Sequence, residues 1–225
     1  MTSLLWIAVT LLVYAAARMA YDRTRLAVLN PAIVSIAAVM IVLLATRTPY
    51  AQYERGGRVI AFWLGPAVVA LGLPLAQQLD RVRRNSSAIT LSLIAGSMTG
   101  IVVAICVARV LGASPVIVRS LAPRSATTPI AIAITARLGG IPALSAVVSI
   151  VSGALGVFLG VGLLRFIGVR SRLATGLALG AAAHGLGTAR AVDEGDIEGG
   201  AAGFAMGVMG ILTALLAPVV VALLA

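Results

Sequence analysis

The sequence predicts an all-α polytopic membrane protein with about seven transmembrane helices plus one re-entrant or broken segment. Of its 225 residues, 60% are hydrophobic and 11% are charged, and the mean hydropathy is +1.09. A soluble domain of this length must cover itself with polar groups and cannot hide so much apolar surface. Several apolar runs also reach the roughly 20 residues that cross a bilayer as a helix.

Seven apolar runs, bounded by arginines, prolines and glycines, are long enough to be candidate spans. They are 4–20, 27–46, 59–79, 88–111, 142–164, 172–191 and 199–224. The first has no positive charge before its apolar stretch and carries Arg18 near its end, the reverse of a secretory signal, so we interpret it as a retained span. We expect a single integral membrane domain, residues 1–225. Its parts are a peripheral first span (1–25), a first repeat (26–111), and a re-entrant segment with a second repeat (112–225).

The segment 115–138 does not fit a simple crossing, because it is interrupted by three prolines and carries Arg119 and Arg124. Prolines break the helical hydrogen-bond ladder, and charges are costly in hydrocarbon. We predict that this segment enters and leaves the membrane on one side.

All 17 basic residues are arginines, and the formal net charge is +10. They concentrate in short segments between apolar runs, which is typical of topology signals on membrane loops and disfavours nucleic-acid binding. With a re-entrant 115–138, the acidic loop 193–198 lies on the opposite face from three arginine-bearing loops. Those loops are 18–25, 80–84 and 165–172. The N-terminus is then outside, the C-terminus is in the cytoplasm, and the arginines of the 47–58 loop remain outside.

In this topology the second, third and fourth spans run in the opposite sense to the last three. The middle span of each triplet is interrupted, by Pro66 and Pro74 in the first and by the glycines of "LGAAAHGLGTARA" in the second. The last spans carry small residues four apart, which allow close helix approach: Gly96 with Gly100, and Gly203 with Gly207. Inverted repeats with broken helices are typical of secondary transporters, whose substrate site lies where the breaks meet.

Irregular backbone at membrane depth is tolerated only where it is buried in protein or lines a wet cavity. In "LAPRSATTP", Ser125, Thr127 or Thr128 can cap a helix that starts near Pro129, and the N–H groups of such a helix attract anions. Arg124 adds a planar donor fork suited to a carboxylate. The alternative is that Arg124 extends to the interface and that the hydroxyls serve only as caps.

His184, the only histidine, lies one helical turn before Thr188, so the two share a face if the segment is helical. An ionisable group at membrane depth favours a function, and His184 can bond a substrate or carry a coupled proton. The alternative is a histidine that bonds a neighbouring backbone carbonyl and fixes the packing of the break.

Arg190 lies near the end of the same span, and we interpret it as an interfacial anchor that pairs with Asp193, Glu194 or Asp196. We expect these three acids and Glu198 to form a solvated loop. Enzymatic activity is not expected, because no serine nucleophile motif accompanies the histidine. One histidine and one cysteine, far apart, do not predict a metal site, and no cofactor is expected.

These motifs resemble the LrgB/CidB family of antiholin-like or murein-hydrolase-regulator membrane proteins, whose domain also occurs in the plastid glycolate/glycerate translocator. The resembling stretches are "FWLGPAVVALGLPL", "LAPRSATTPIAIAI", "LGGIPALSAVV", "GLALGAAAHGLGTARA" and "EGGAAGFAMGVMGILTALLAPVV", with "NPA" at 30–32. Two positions depart from the family pattern: Ala183 replaces a frequent serine, and Arg124 replaces the usual lysine. Both changes affect which substrate is preferred, and they do not affect the assignment to this class of protein.

The resemblance implies two competing functions. One is a carrier of small 2-hydroxy or 2-oxo monocarboxylates such as glycolate, glycerate, lactate or pyruvate. The other is an antiholin-like regulator of murein-hydrolase export and cell lysis. It also implies a small LrgA/CidA-type membrane partner, homo- or hetero-oligomers, and a location in the bacterial inner (cytoplasmic) membrane.

The breaks, the arginine and the histidine at comparable depth favour the carrier. In that hypothesis Arg124 and the following helix N-terminus hold the carboxylate, and His184 is a second contact or the site of proton coupling. The other oxygen of the substrate is bonded by hydroxyl groups, and one repeat moves against the other to alternate access. The hydroxyl-bearing residues are Ser125, Thr127, Thr128 and Thr188.

Overall fold

The computed structural model describes residues 2–24, 26, 29–63, 66, 83 and 85–224. The regular structure in these residues is helical, which confirms the predicted all-α polytopic class. Four described helices are long and apolar enough to cross a membrane: Ser3–Thr24, Ser86–Val110, Pro142–Phe166 and Asp196–Leu224. The chain divides into two compact units, Met1–Ala70 and Leu71–Ala225.

The first unit contains α1 (Thr2–Thr24), α2 (Pro31–Ala45) and α3 (Tyr50–Phe62). The "NPA" motif starts α2: the Asn30 side-chain oxygen accepts hydrogen bonds from the backbone N–H groups of Ala32 (3.1 Å) and Ile33 (3.3 Å). Proline then occupies the first helical position, where its missing N–H costs nothing. This start shortens the predicted span 27–46 to 15 residues, or about 22 Å, less than a bilayer core.

Helix α3 corrects the predicted loop 47–58, because a helix runs through most of it and ends at Phe62. Its polar face, with three charged residues, concealed the helix from a search for apolar runs. The helix packs on α1, where the rings of Trp6 and Tyr53 meet edge to face at 5.9 Å. Most of the predicted span 59–79 and of the loop 80–84 lies outside the described residues.

Proline or glycine marks several boundaries of the described helices in the second unit. These helices, with one 3₁₀ turn (Ala122–Ser125), are α4 (Ser86–Val110), α5 (Pro115–Leu121), α6 (Thr128–Arg137), α7 (Pro142–Phe166), α8 (Arg172–Glu194) and α9 (Asp196–Leu224). Proline is the first residue of α5 and α7. Glycines with positive φ follow α4, α6 and α7: Gly112 (74°), Gly139 (70°) and Gly168 (83°). This pattern sets the helix boundaries.

Helices α5 and α6 fold back on each other to form the first hairpin, residues 115–137. The Ser120 hydroxyl accepts a hydrogen bond from the backbone N–H of Ile141 at 2.7 Å. A straight helix would separate these two residues by about 30 Å. The segment therefore enters and leaves at one end, as the sequence predicts for 115–138.

Helix α8 is the second hairpin, residues 172–194, and it corrects the predicted span 172–191. The chain reverses at His184, whose φ and ψ are 51° and −129°. Gly187 packs against the carbonyl oxygen of Leu179, and Arg172 at the start of one arm pairs with Glu198, just beyond the other, at 2.7 Å. A straight helix would place the ends of α8 about 33 Å apart.

This reversal corrects the predicted topology of the second unit. The acidic segment 193–198 lies at the same end as 165–172, not on the opposite face, because Arg165 pairs with Glu194 at 3.0 Å. The C-terminus lies at the other end, where the Arg109 guanidinium donates to the carbonyl oxygen of Leu224. We call the first end, with Arg165, Arg172, Glu194 and Glu198, the ion-pair end. The other, with Arg109, Arg119 and Arg137, is the arginine end.

Helices α4, α7 and α9 cross between these two ends. Helix α4 is followed by the first hairpin, which enters from the arginine end, and α7 is followed by the second, which enters from the ion-pair end. The second unit thus contains its own inverted pair, each member a crossing helix and a hairpin. This pairing differs from the predicted one, which matched the second to fourth spans with the last three.

Each hairpin packs in its own apolar cluster at its own end. At the arginine end the buried members are Ile101, Ile105, Ala108, Val118, Ala122, Ile134, Ala217, Val220 and Val221. At the ion-pair end, Ile89, Leu93, Ala205 and Met209 pack with Leu173 and Leu177. The predicted glycine approach holds only in part: Gly100 meets Ser125 of the first hairpin, whereas Gly96 and Gly207 have open space beside them.

Candidate functional site

The tip of the first hairpin brings together four of the predicted site residues. Arg124 and Ser125 lie in the 3₁₀ turn, Thr127 immediately precedes α6, and Thr128 is its first residue. Ser125 is 8% exposed and contacts Gly100 in the middle of α4. Thr127 occupies the cap position of α6, but no side chain makes a capping hydrogen bond there. The predicted capping is therefore wrong, and no capping bond occupies the acceptor oxygen of the Thr127 hydroxyl.

The Arg124 side chain turns into the protein rather than towards the interface. Its Nη1 donates to the Ser152 hydroxyl of α7 at 3.3 Å, and the residue is half-buried. Only this one guanidinium hydrogen bond is found among the described residues, so the other N–H groups remain for an anion. Ser152 was missed by sequence reasoning, although a serine inside an apolar span is a detectable signal.

The tip of the second hairpin holds His184 and Thr188. Both are buried, at 5% and 3% exposure. Thr188 donates its hydroxyl to the carbonyl oxygen of His184 at 2.8 Å and lies 3.8 Å from the Met206 sulfur of α9. The predicted shared face of His184 and Thr188 is replaced by this turn, because the backbone of His184 is not helical.

The two tips meet in one hydrogen bond. His184 Nε2 and the backbone oxygen of Arg124 are 3.0 Å apart. A carbonyl oxygen can only accept, so Nε2 carries the proton and Nδ1 is left as an acceptor in the neutral ring. Nδ1 is buried and has no partner among the described residues. The histidine therefore fixes the packing of the break, the alternative raised from the sequence, and still offers one polar atom to a ligand.

Four more buried hydroxyls on the crossing helices lack partners among the described residues. They belong to Ser97 of α4, Ser145 and Ser149 of α7, and Thr213 of α9, all of which are almost completely buried. Buried polar groups are normally satisfied by protein or ordered water, so these positions suit bound water or solute. Sequence reasoning missed them, although each is a polar residue within an apolar run.

At the ion-pair end, Arg190 pairs with Glu194, one of the three acids predicted as its partner. The predicted solvated loop is wrong for Glu198. That residue is only 6% exposed, and its two oxygens accept from Arg172 at 2.7 and 3.0 Å. Within the described ranges, no three metal-binding side chains come together.

The comparison with known families identifies the chain. The model of the LrgB-like family matches residues 10–223. This chain belongs to that family. A relative named antiholin-like protein LrgB from Bacillus mycoides (strain KBAB4) is 31% identical over 97% of this chain and 95% of its own length. Relatives of the same name from Bacillus cereus (strain B4264) and Bacillus anthracis (strain CDC 684 / NRRL 3495) are 30% identical over the same shares.

No solved structure is significantly similar to this LrgB-like chain. The name of the relatives agrees with the antiholin-like alternative from the sequence and makes no reference to a carried solute. The family assignment rests on the match to the family model. The assignment to a membrane rests on that match and on the long apolar helices.

Proposed function

We propose that this chain acts in the bacterial inner membrane as an antiholin-like regulator of murein-hydrolase export and cell lysis. The observation that carries this proposal is the shared name of relatives that are 30–31% identical over 97% of this chain. The matches also cover 95% of those relatives, so nearly the whole length of each relative is matched. The partner in this proposal is a small LrgA/CidA-type membrane protein.

Deletion of this chain from its host tests the regulator. Cells without it should release more murein hydrolase and lyse sooner after membrane depolarisation, and a restored copy should reverse both changes. Zymography of the culture medium and the loss of turbidity measure the two effects. Identical release and lysis in deleted and restored cells would contradict the regulator.

The hairpin tips favour a second function, a carrier of small monocarboxylates of the glycolate, glycerate, lactate and pyruvate class. Two helix breaks from opposite ends meet where His184 bonds the Arg124 backbone. Breaks at membrane depth are tolerated where they are buried in protein or line a cavity, and discontinuous helices form the substrate sites of many transporters. Access would alternate as one hairpin or the other withdraws from this contact.

The chemistry of the two tips suits the two ends of such an acid. The free N–H groups of Arg124 and the hydroxyls of Ser125, Thr127 and Thr128 are donors for a carboxylate. Nδ1 of His184 can only accept a hydrogen bond while the ring is neutral, so it favours a substrate hydroxyl over a keto oxygen. The carrier hypothesis therefore ranks glycolate above pyruvate.

Reconstitution tests the carrier. Proteoliposomes with this chain, with and without the LrgA/CidA-type partner, should take up labelled glycolate saturably under a pH gradient, and unlabelled pyruvate should compete less well than unlabelled glycolate. Absence of saturable uptake in both preparations contradicts the carrier and leaves the regulator. Pyruvate competing as well as glycolate would contradict the role given to His184.

A further inference from the structure

A groove in the second unit runs along α6, with α9 as its other wall. It has a volume of about 370 Å³ and extends from Pro129, near the tip of the first hairpin, to Arg137 at the arginine end. Ile130 and Ala133 of α6 and Ala214 and Pro218 of α9 also line it. Apart from Arg137 the lining side chains are apolar, so the groove offers one positive end and an apolar length of about 12 Å along α6.

Pro218 shapes the α9 wall. It lies inside the helix and has no N–H to donate to the carbonyl oxygen of Ala214, one turn earlier. Ala214 and Pro218 both line the groove and have small or compact side chains. They therefore leave space that a larger side chain would fill. This leaves room for a slender apolar chain beside α6.

The charges at the two ends of the second unit differ. The acids described in this unit all lie in 193–198, at the ion-pair end, where arginines pair with them. At the arginine end, the guanidinium of Arg119 lies beside Gly139, two residues after Arg137. Neither arginine has a carboxylate partner in the described part of the chain. Arginines at the end of a membrane groove attract anionic headgroups.

We propose that this groove binds one acyl chain of an anionic phospholipid, with its phosphate paired to Arg137 and Arg119. The apolar length holds the chain between α6 and α9, and the uncompensated arginines hold the headgroup. Because the groove reaches Pro129, the bound lipid packs against the returning arm of the first hairpin and stabilises it. This site is independent of the function proposed for the hairpin tips.

Lipid binding to the purified full chain in detergent tests the proposal. Phosphatidylglycerol and phosphatidylcholine with identical acyl chains are titrated and followed by native mass spectrometry and thermal unfolding. Phosphatidylglycerol should bind at least about fivefold more tightly, because its headgroup has a net negative charge, whereas choline cancels the phosphate charge in phosphatidylcholine. Each arginine near an anionic headgroup contributes on the order of 1 kcal/mol. Arg137→Gln should remove most of this preference, and Ala133→Phe, at an exposed position in the groove, should weaken both lipids.

Arg170→Gln is the matched control, because Arg170 is exposed at the opposite end of the unit. It should leave the preference unchanged, and circular dichroism should show that all three variants are folded. Unchanged phosphatidylglycerol binding in either Arg137→Gln or Ala133→Phe would overturn the proposal. Inorganic phosphate that stabilises the protein as much as phosphatidylglycerol would also overturn it, because the acyl chain would then contribute nothing.

Discussion

The two hairpins of the second unit reach the same meeting point by different chemistry. The first turns through a 3₁₀ segment, and its base is closed by a neutral hydrogen bond between Ser120 and Ile141. The second turns at the single residue His184, and its base is closed by ion pairs such as Arg172 with Glu198. Ionic conditions should therefore act on the second hairpin and leave the first almost unaffected, since salt screens charge but not neutral hydrogen bonds.

The largest expected effect separates the two tips. In the carrier hypothesis the first tip holds the substrate charge, so Arg124→Ala should lower glycolate uptake on the order of 100-fold, the loss of one or two charge-assisted hydrogen bonds. Thr188→Val at the second tip should lower it only a few-fold, because that hydroxyl is already donated to His184. Initial uptake rates in proteoliposomes measure both, with Arg170→Ala as the control. Equal losses of uptake in Arg124→Ala and Thr188→Val would contradict the assignment of the substrate charge to the first tip.

The next effect distinguishes the ion pair at the base of the second hairpin from the hydrogen bond at the base of the first. Glu198→Gln should destabilise the protein by about 2 kcal/mol, because it breaks a two-bond ion pair in which the carboxylate is buried. Ser120→Ala should cost about 1 kcal/mol, the usual loss when one backbone N–H loses its partner. Denaturant unfolding in a fixed detergent measures both. A larger loss of stability in Ser120→Ala than in Glu198→Gln would show that the hydrogen bond contributes more than the ion pair.

A smaller effect isolates the backbone of the second tip. The φ of 51° and ψ of −129° at His184 resemble the first central position of a type II′ turn, which glycine favours. His184→Ala and His184→Gly both lose the bond to Arg124, but glycine relieves the strain. The glycine variant should be more stable than the alanine variant by about 1 kcal/mol. Thermal unfolding of the pair checks this, and an alanine variant at least as stable would exclude strain at the turn.

The smallest effect is the response to salt. Raising sodium chloride to about 1 M shortens the screening length to about 3 Å, so the ion pairs at the base of the second hairpin should weaken by about 0.5 kcal/mol. Amide hydrogen exchange should then speed up in 172–180 and stay constant in 115–121. Equal acceleration in both segments would show that the ion pairs do not hold the second hairpin.

Much of this architecture follows from patterns that the sequence displays. The lengths of the apolar runs predict α4, α7 and α9 to within a few residues. A run of this length with few or no charges is a candidate transmembrane helix. The prolines and arginines of 115–138 predict the first hairpin, since they make a simple crossing costly. The same reasoning placed Arg124 and His184 at facing breaks, and their tips do meet.

The second hairpin was hidden because its signal is steric rather than polar. The sequence of 172–191 does not show that Gly187 packs against the carbonyl oxygen of Leu179. It also does not show that Gly180 packs against the backbone of Ala202. These contacts are between residues that a helical pattern keeps apart, so periodicity predicts one span. Helix α3 was hidden for the opposite reason, because its charged face interrupts the apolar run that marks a span.

The reversal at His184 also sets an order of events during biosynthesis. The second hairpin packs on α9 through Gly176 against Glu198 and Gly180 against Ala202, yet the ribosome makes α9 after the hairpin. Until α9 has entered the bilayer, α7 and the tip of the first hairpin cover the second hairpin only in part, because the surface on which Gly176 and Gly180 pack is missing. The 29 residues of α9 therefore complete the packing of the second hairpin, and a ribosome stalled before them would leave a nascent chain that quality-control proteases can recognise.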